Sequence, residues 1–561
     1  MDKKYIADVV DFIKKERPSK ERITKFKIEL TKKYNSKIIP SDTEILLNLD
    51  KKNFSFIKKY LMSKETRTIS GVAVCAIMTK PIKCPHGKCL MCPGGPKSIF
   101  GDVPQSYTGK EPATRRAIRN LYDPYLQVMN RLEQYIVQGH AADKIELIIM
   151  GGTFPSFQKK YREDFVMYAL KAMNDFSALF FRNGSFDMTR FKDFFELPSD
   201  IDNKDRKKRI FSKLLKMKIL KTNLIREQLR NEKSNIKCVG LTIETRPDYG
   251  KLTEGNEMLR LGCTRVELGV QNIFNFVLKA IKRGHTVEDS IESTQILKDL
   301  GFKINYHMML GLPGMDHKKD LYNLRMLFGV EDFQPDMLKL YPCMVLKGTK
   351  LYGLWKKGEY KPLTTEKAAK LIADFKEDVP PYTRIMRIQR DIPSFMTSAG
   401  VDRTNLRQIV DEIMKKKKIK CKCIRCREIG RYVGKVNDDK IKIKTIHYPA
   451  SHGNEFFIAA EFKDYIVGFC RLRFPFSFLR KEITQDSALI RELHVYGTAT
   501  SIGEKGEVQH KGIGKRLLEE AETIAKTYYK NKIVVISGVG VRGYYRMLGY
   551  KLEGPYMVKT I

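Results

Sequence analysis

From about residue 66 to residue 341 the chain repeats one pattern, a short apolar β-rich run followed by a helical one. The β-rich runs are Thr68 to Met78, Lys144 to Met150, Cys238 to Glu244, Thr264 to Gly269, Phe302 to Met309 and Asp336 to Tyr341. Apolar residues at helical spacing fill the gaps, as in Val287 to Leu300. Strands that alternate with helices pair in parallel, because each connection crosses back over the sheet. Six such units predict an α/β fold, a partial (β/α)6 barrel, with its active site at the C-terminal ends of the strands.

Chemistry-bearing residues stand at those ends. The first run leads into Cys84-Pro-His-Gly-Lys-Cys89-Leu-Met-Cys92, and the second ends in Gly151-Gly152-Thr153. Thiolates hold iron–sulfur clusters, and four saturate a four-iron cube. Three leave one iron open, which can chelate the amino and carboxylate groups of S-adenosylmethionine and reduce its sulfonium. The alternative is structural zinc, which usually takes four ligands in paired knuckles.

Charge narrows the partners. Lys and Arg number 104 against 65 Asp and Glu, a formal charge of +39. A field of that sign gathers polyanions, and nucleic acid is the obvious one. The 26 Tyr and 30 Phe can stack on unpaired bases. No apolar run reaches the roughly 18 residues of a membrane helix. The start, Met-Asp-Lys-Lys-Tyr, has no apolar secretory core. These features predict a cytoplasmic protein whose 11 cysteines are thiols or ligands.

Four segments follow. Residues 1–65 are Lys-rich and helical, with Ile6, Val9, Val10 and Ile13 on one face and a capping box at Ser41 to Glu44; they are expected to bind RNA or simply to be solvated. Residues 66–380 form the partial barrel. Its insertion, about 176–237, opens with Phe176, Phe180, Phe181 and Phe186 and carries Lys204 to Arg209; it reads as an RNA arm or a surface excursion. Residues 381–445 read as a linker whose Cys421, Cys423 and Cys426 suggest zinc, with a second cluster or free thiols as alternatives. Residues 446–561 form a last α/β unit. In it, Gln509 and Gly512 to Gly514 precede a helix whose bare N–H groups suit phosphate.

This last unit resembles the acetyl-coenzyme A site of GNAT-type acetyltransferases, with Arg491 to Val495 as the strand that pairs with the pantetheine arm. Other stretches add to it: Gly94-Gly95-Pro96, Gln105 to Gly109, Thr242 to Tyr249, Arg283 to Thr286 and Ile536 to Gly540. Together, over about 66–561, the chain resembles the family of the Elongator catalytic subunit, a radical S-adenosylmethionine barrel joined to a GNAT domain. That resemblance implies formation of a 5-carboxymethyl group on the wobble uridine of tRNA, read at the anticodon stem-loop. A hydrogen atom leaves the methyl of acetyl-coenzyme A, and the resulting carbon radical adds to carbon 5 of the uracil.

The resemblance also implies roles. Cys84, Cys89 and Cys92 hold a [4Fe-4S] cluster. Gly151, Gly152, Thr153, Glu244, Glu267 and Gln271 contact S-adenosylmethionine. Glu492, Leu493, His494, Val495, Gln509, Gly512, Ile513, Gly514, Lys515 and Tyr545 hold acetyl-coenzyme A, and Lys144 reaches it from the barrel. Lys144 and Tyr545 are the candidate catalytic residues, Tyr545 as donor to the thioester sulfur or else a core tyrosine. An external electron donor is required, and a homodimer is an open expectation. The competing activity is protein lysine acetylation with Glu492 as base. The positive charge disfavours basic protein tails as substrates.

Overall fold

The computed structural model describes residues 3–63, 68, 70–199, 203–434, 436–497 and 512–561. Four helices come first: α1 (Lys3–Glu16), α2 (Lys20–Lys33), α3 (Asp42–Asn48) and α4 (Lys51–Leu61). Val9, Ile13, Ile45, Ile57 and Leu61 are fully buried among them. The capping box exists as read: Glu44 N–H donates to Ser41 Oγ at 3.2 Å, and Ser41 N–H to Glu44 Oε2 at 2.7 Å.

All six expected strands form: β1 (Ala73–Met78), β2 (Lys144–Met150), β3 (Lys237–Thr245), β4 (Arg265–Gln271), β5 (Lys303–Leu310) and β6 (Met337–Pro342). They pair in parallel in chain order. A seventh, β7 (Arg384–Arg387), pairs in parallel with β6. It lies in the 381–445 stretch read as linker, so that reading is corrected here. Arg-Ile-Met-Arg buries only Ile385 fully, and so short a one-sided strand gives no apolar run to detect.

The insertion buries its aromatic rings. Phe176, Phe180, Phe191 and Phe195 are completely buried, with ring centroids 4.7 to 6.4 Å apart. Its aromatics therefore pack with one another, as large apolar faces do when a partner is in reach. What reaches solvent is the basic helix Lys204–Lys218, with Lys204, Lys208 and Lys216 exposed.

The last unit is a second seven-stranded sheet: β8 (Lys442–Ala450), β9 (Gly453–Phe462), β10 (Tyr465–Phe474), β11 (Ser487–Val495), β12 (Lys532–Val535), β13 (Lys551–Glu553) and β14 (Tyr556–Thr560), in the order β8-β9-β10-β11-β12-β14-β13. β11 pairs with β12 only through Ser487 to Ile490, while Glu492 to Val495 stay paired with β10. The strand thus splays away from β12 and leaves backbone groups unused on one side.

Buried charge joins the two units. Arg491 is fully buried; it grips both oxygens of Asp336, at 2.8 and 2.6 Å, and donates to the Phe302 carbonyl at 2.7 Å. Arg473 meets Asp299 at 2.6 Å and Glu455 at 3.1 Å. A Cβ on Gly538 would sit 2.2 Å from the Val239 carbonyl oxygen, so only glycine permits that approach. These barrel residues lie at or near the N-terminal ends of strands, away from the cysteine loop.

Candidate active site

The cysteine loop closes over the C-terminal ends of the barrel strands. Cys84 N–H donates to Gln105 Oε1, and Ser106 N–H to Cys92 Sγ at 3.2 Å. Cys89 Sγ is met by His86 Nε2 at 3.1 Å and by Arg283 Nη1 at 3.6 Å. All three cysteines line one chamber with Gly152, Thr153, Glu244, Glu267 and Gln271. Burial, helped by Cys92 and opposed by Arg283, pushes the Cys84 thiol up to about 11. A metal centre that draws out thiolates reverses that preference.

Spacing separates a cluster from zinc. Among the described residues, Cys421, Cys423 and Cys426 have all three sulfurs within 4.8 Å of one another, whereas Cys84, Cys89 and Cys92 form no such group. Zinc–sulfur bonds of about 2.3 Å bring sulfurs to roughly 4 Å apart. The loop is too open for one zinc ion and suits a cluster; the Cys421 trio suits zinc. No fourth ligand of that trio is found among the described residues.

Gly151 and Gly152 carry φ of +120° and +113°. A Cβ on Gly151 would strike Thr79 Oγ1 at 2.3 Å, and one on Gly152 would sit 3.9 Å from Cys84 Sγ. The glycines thus bring bare backbone beside the sulfurs. Glu267 is buried, receives His307 Nε2–H at 2.7 Å and pairs with Lys339. Burial would raise its carboxyl, but Lys339, His307 and Arg265 outweigh burial and hold it well below the usual range. Lys339 also stands 3.6 Å from Glu244, and Tyr107 donates to Glu244 at 3.4 Å. Glu244, Glu267 and His307 could together seat a metal, yet Lys339 already supplies the cation there.

His307, Lys339, Tyr107, Tyr341 and Arg283 line the chamber but had no role in the sequence reading. One signal was readable: Asn305 and His307, and Lys339 and Tyr341, are polar pairs two apart on otherwise apolar strands. Lys144 is exposed at the N-terminal start of β2, outside the chamber.

The second half of the site lies on the last sheet. Gly512, with φ +92° and no side-chain cap, opens the helix Ile513–Thr527. Among the described residues no side chain caps its first N–H groups, which suit an anion. Gly514 faces the Tyr544 hydroxyl, 2.9 Å from an added Cβ. Lys515 pairs with Glu519 at 3.5 Å. Gln509 lies outside the described residues. Tyr545 is buried, 5.5 Å from the Tyr544 ring and 5.7 Å from Tyr550; burial pushes its hydroxyl far above the usual range, so it stays protonated and able to donate. Both halves fit their groups: bare amides beside a splayed strand for a pyrophosphate and its amide arm, and three spaced thiols for a cluster.

Glu492 accepts from Arg471 Nε at 2.9 Å. Burial would raise its carboxyl, but Lys303 and Arg471 keep it below the ordinary value. A carboxylate so engaged is a poor base for a lysine ammonium. His494 stacks on Phe469 at 5.9 Å and lies tilted against the Tyr496 ring at 4.5 Å.

Known proteins share this organisation. Residues 81–324 match the Radical SAM superfamily, 335–416 the Radical_SAM C-terminal domain and 429–550 the Acetyltransferase (GNAT) family. The tRNA uridine(34) acetyltransferase of Methanocaldococcus jannaschii is 45% identical over 553 residues, covering 97% of this chain and 94% of that protein. Elongator complex protein 3 of Saccharomyces cerevisiae is 40% identical, covering 96% of this chain and 91% of its own. The solved Methanocaldococcus infernus Elp3 with an N-terminal deletion (1–46) superposes with a TM-score of 0.71 at 40% identity, covering 88% of this chain and 100% of that one. The chain belongs to the family of the tRNA uridine(34) acetyltransferases and Elongator complex protein 3.

Proposed function

We propose that this protein builds a 5-carboxymethyl group on the wobble uridine of tRNA, using S-adenosylmethionine and acetyl-coenzyme A. The observation that carries the proposal is the pairing of a three-cysteine chamber with a splayed-strand site in one chain of charge +39. When bound, a [4Fe-4S] cluster with S-adenosylmethionine supplies hydrogen-atom abstraction from a methyl group, fed by an external electron donor.

The chain's own residues do the positioning. Cys84, Cys89 and Cys92 anchor the cluster, and Gly152 brings bare backbone beside it. Glu267, kept ionised by Lys339, offers an acceptor to ammonium or hydroxyl groups, with Glu244 and Gln271 nearby. The Gly512 turn and the open side of β11 hold the coenzyme, and Lys144 stands at the strand end that borders the second unit. Tyr545 donates its hydroxyl to the thioester sulfur. Tyr545→Phe keeps the ring packing and is expected to lower thioester turnover about 100-fold with KM little changed. Release of coenzyme A reads this; an unaltered rate returns Tyr545 to the core.

The tRNA is expected to lie across the basic helix of the insertion. Arg209 is paired with Glu196 at 2.7 Å, so Lys207 and Lys208 are the better targets. Replacing both with Gln should lower the slope of log affinity against log salt by about 1 to 2. An unchanged slope leaves that helix without an RNA role.

A further inference from the structure

A second cavity adjoins the cysteine chamber, and the two share Arg387, Arg390, Asp391 and Ile392 in their walls. It is a cationic groove. Lys110, Arg115, Arg387, Arg390, Arg407 and Arg425 line it, and Asp391 is its one carboxylate. Asp391 is occupied, accepting from Arg387 at 2.6 Å, and Arg390 donates to the Ser106 carbonyl. Among the described residues no carboxylate is in ion-pair contact with Lys110, Arg115, Arg407 or Arg425. Asp411, one turn beyond Arg407, is held by Lys376 at 3.2 Å. Cys423 and Cys426 lie near Arg407. Three thiolates on zinc would carry one net negative charge, which leaves the groove cationic.

Two helices begin at its walls. Leu406–Lys416 starts beside Thr404 and Arg407, and its N-cap Asn405 makes no side-chain cap. Pro112–Arg119 starts beside Lys110, also without a side-chain cap, since Glu111 is taken by Thr108 N–H at 2.9 Å and the Thr114 hydroxyl at 3.2 Å. Helix N-termini and unpaired guanidinium groups attract the same ligand, an anion with several oxygens.

We infer that this groove holds a backbone phosphate next to the uridine whose base enters the chamber. The inference rests on the tRNA reading above and adds the contact that places the nucleotide. An enzyme working on a base draws that base inward while its phosphate stays at the rim. Here the shared Arg387 and Arg390 mark that rim. A fork of N–H donors fits phosphate oxygens in two-point contact, as a single lysine does not.

The test uses the full chain and an anticodon stem-loop RNA, with binding followed by fluorescence anisotropy. Methylphosphonate replaces, one at a time, the two phosphates flanking the wobble uridine. Arg407→Gln should weaken binding roughly tenfold and lower the salt slope by about 0.7. One of the two neutralised RNAs should lose as much with the unaltered protein and lose nothing more with Arg407→Gln. Arg407→Lys should recover part of the loss. Lys110→Gln, in an exposed loop, gives the same comparison if Arg407→Gln does not fold. Additive losses at both phosphates, or variants that bind as tightly as the unaltered chain, overturn the subsite and leave the tRNA reading standing. An unaltered chain that binds no stem-loop overturns both.

Discussion

Replacing Asp336 with Asn is expected to lower the unfolding free energy by about 3–5 kcal/mol. Its carboxylate is completely buried and takes two hydrogen bonds from Arg491, with Arg471 at 3.5 Å. Burial alone would raise this carboxyl, but Arg491, Arg471 and Lys298 hold it far below the usual range. Removing one partner leaves buried guanidinium groups uncompensated, which is where the energy is lost. The sign with pH follows. Because the folded value is depressed, Asp336 contributes fully above the unfolded value of about 3.9 and progressively less as pH falls below it. The unaltered protein should therefore lose stability more steeply than Asp336→Asn below about pH 4. Urea unfolding at pH 7 and at pH 3.5 measures both. A loss under about 1 kcal/mol at pH 7 would mean that the pair does not join the two units as described.

The second large effect is on chemistry. Cys89→Ala should remove the iron–sulfur absorbance and abolish modification while leaving stem-loop affinity unchanged. Cys89 is buried in the loop, beside His86 and Arg283, and only two thiolates would remain for the cluster. The RNA surfaces proposed above use other side chains, so binding and chemistry should separate cleanly. Retained modification would remove the radical route.

Much of this was legible because strands and motifs repeat on a short range. Six parallel strands announced themselves as apolar runs, and the cysteines and Gly151-Gly152-Thr153 stood at their ends. The helix behind Gly512 was equally local. What escaped depends on distant partners. The strand Arg384–Arg387 is two arginines around two apolar residues, and only pairing with β6 makes it a strand. Phe176 and Phe180 open the basic insertion in the sequence, and only the fold brings Phe191 and Phe195 against them. Nothing local marks Arg471, Arg473 and Arg491 as buried; Asp299, Asp336 and Glu455 neutralise them only in the fold. Part of the basic composition is therefore internal. Lys339 and His307 needed the barrel to bring β5 and β6 against Glu267 on β4.

The central claim joins two cofactor sites to one base, and one anaerobic assay tests it most directly. Reconstituted protein, dithionite, S-adenosylmethionine and acetyl-coenzyme A labelled in its acetyl carbons are incubated with bulk tRNA, and the nucleosides are analysed by mass spectrometry. The account predicts label in 5-carboxymethyluridine that disappears when S-adenosylmethionine is omitted. Unlabelled nucleosides, with label on protein lysines instead, would contradict it and make the chain a protein acetyltransferase.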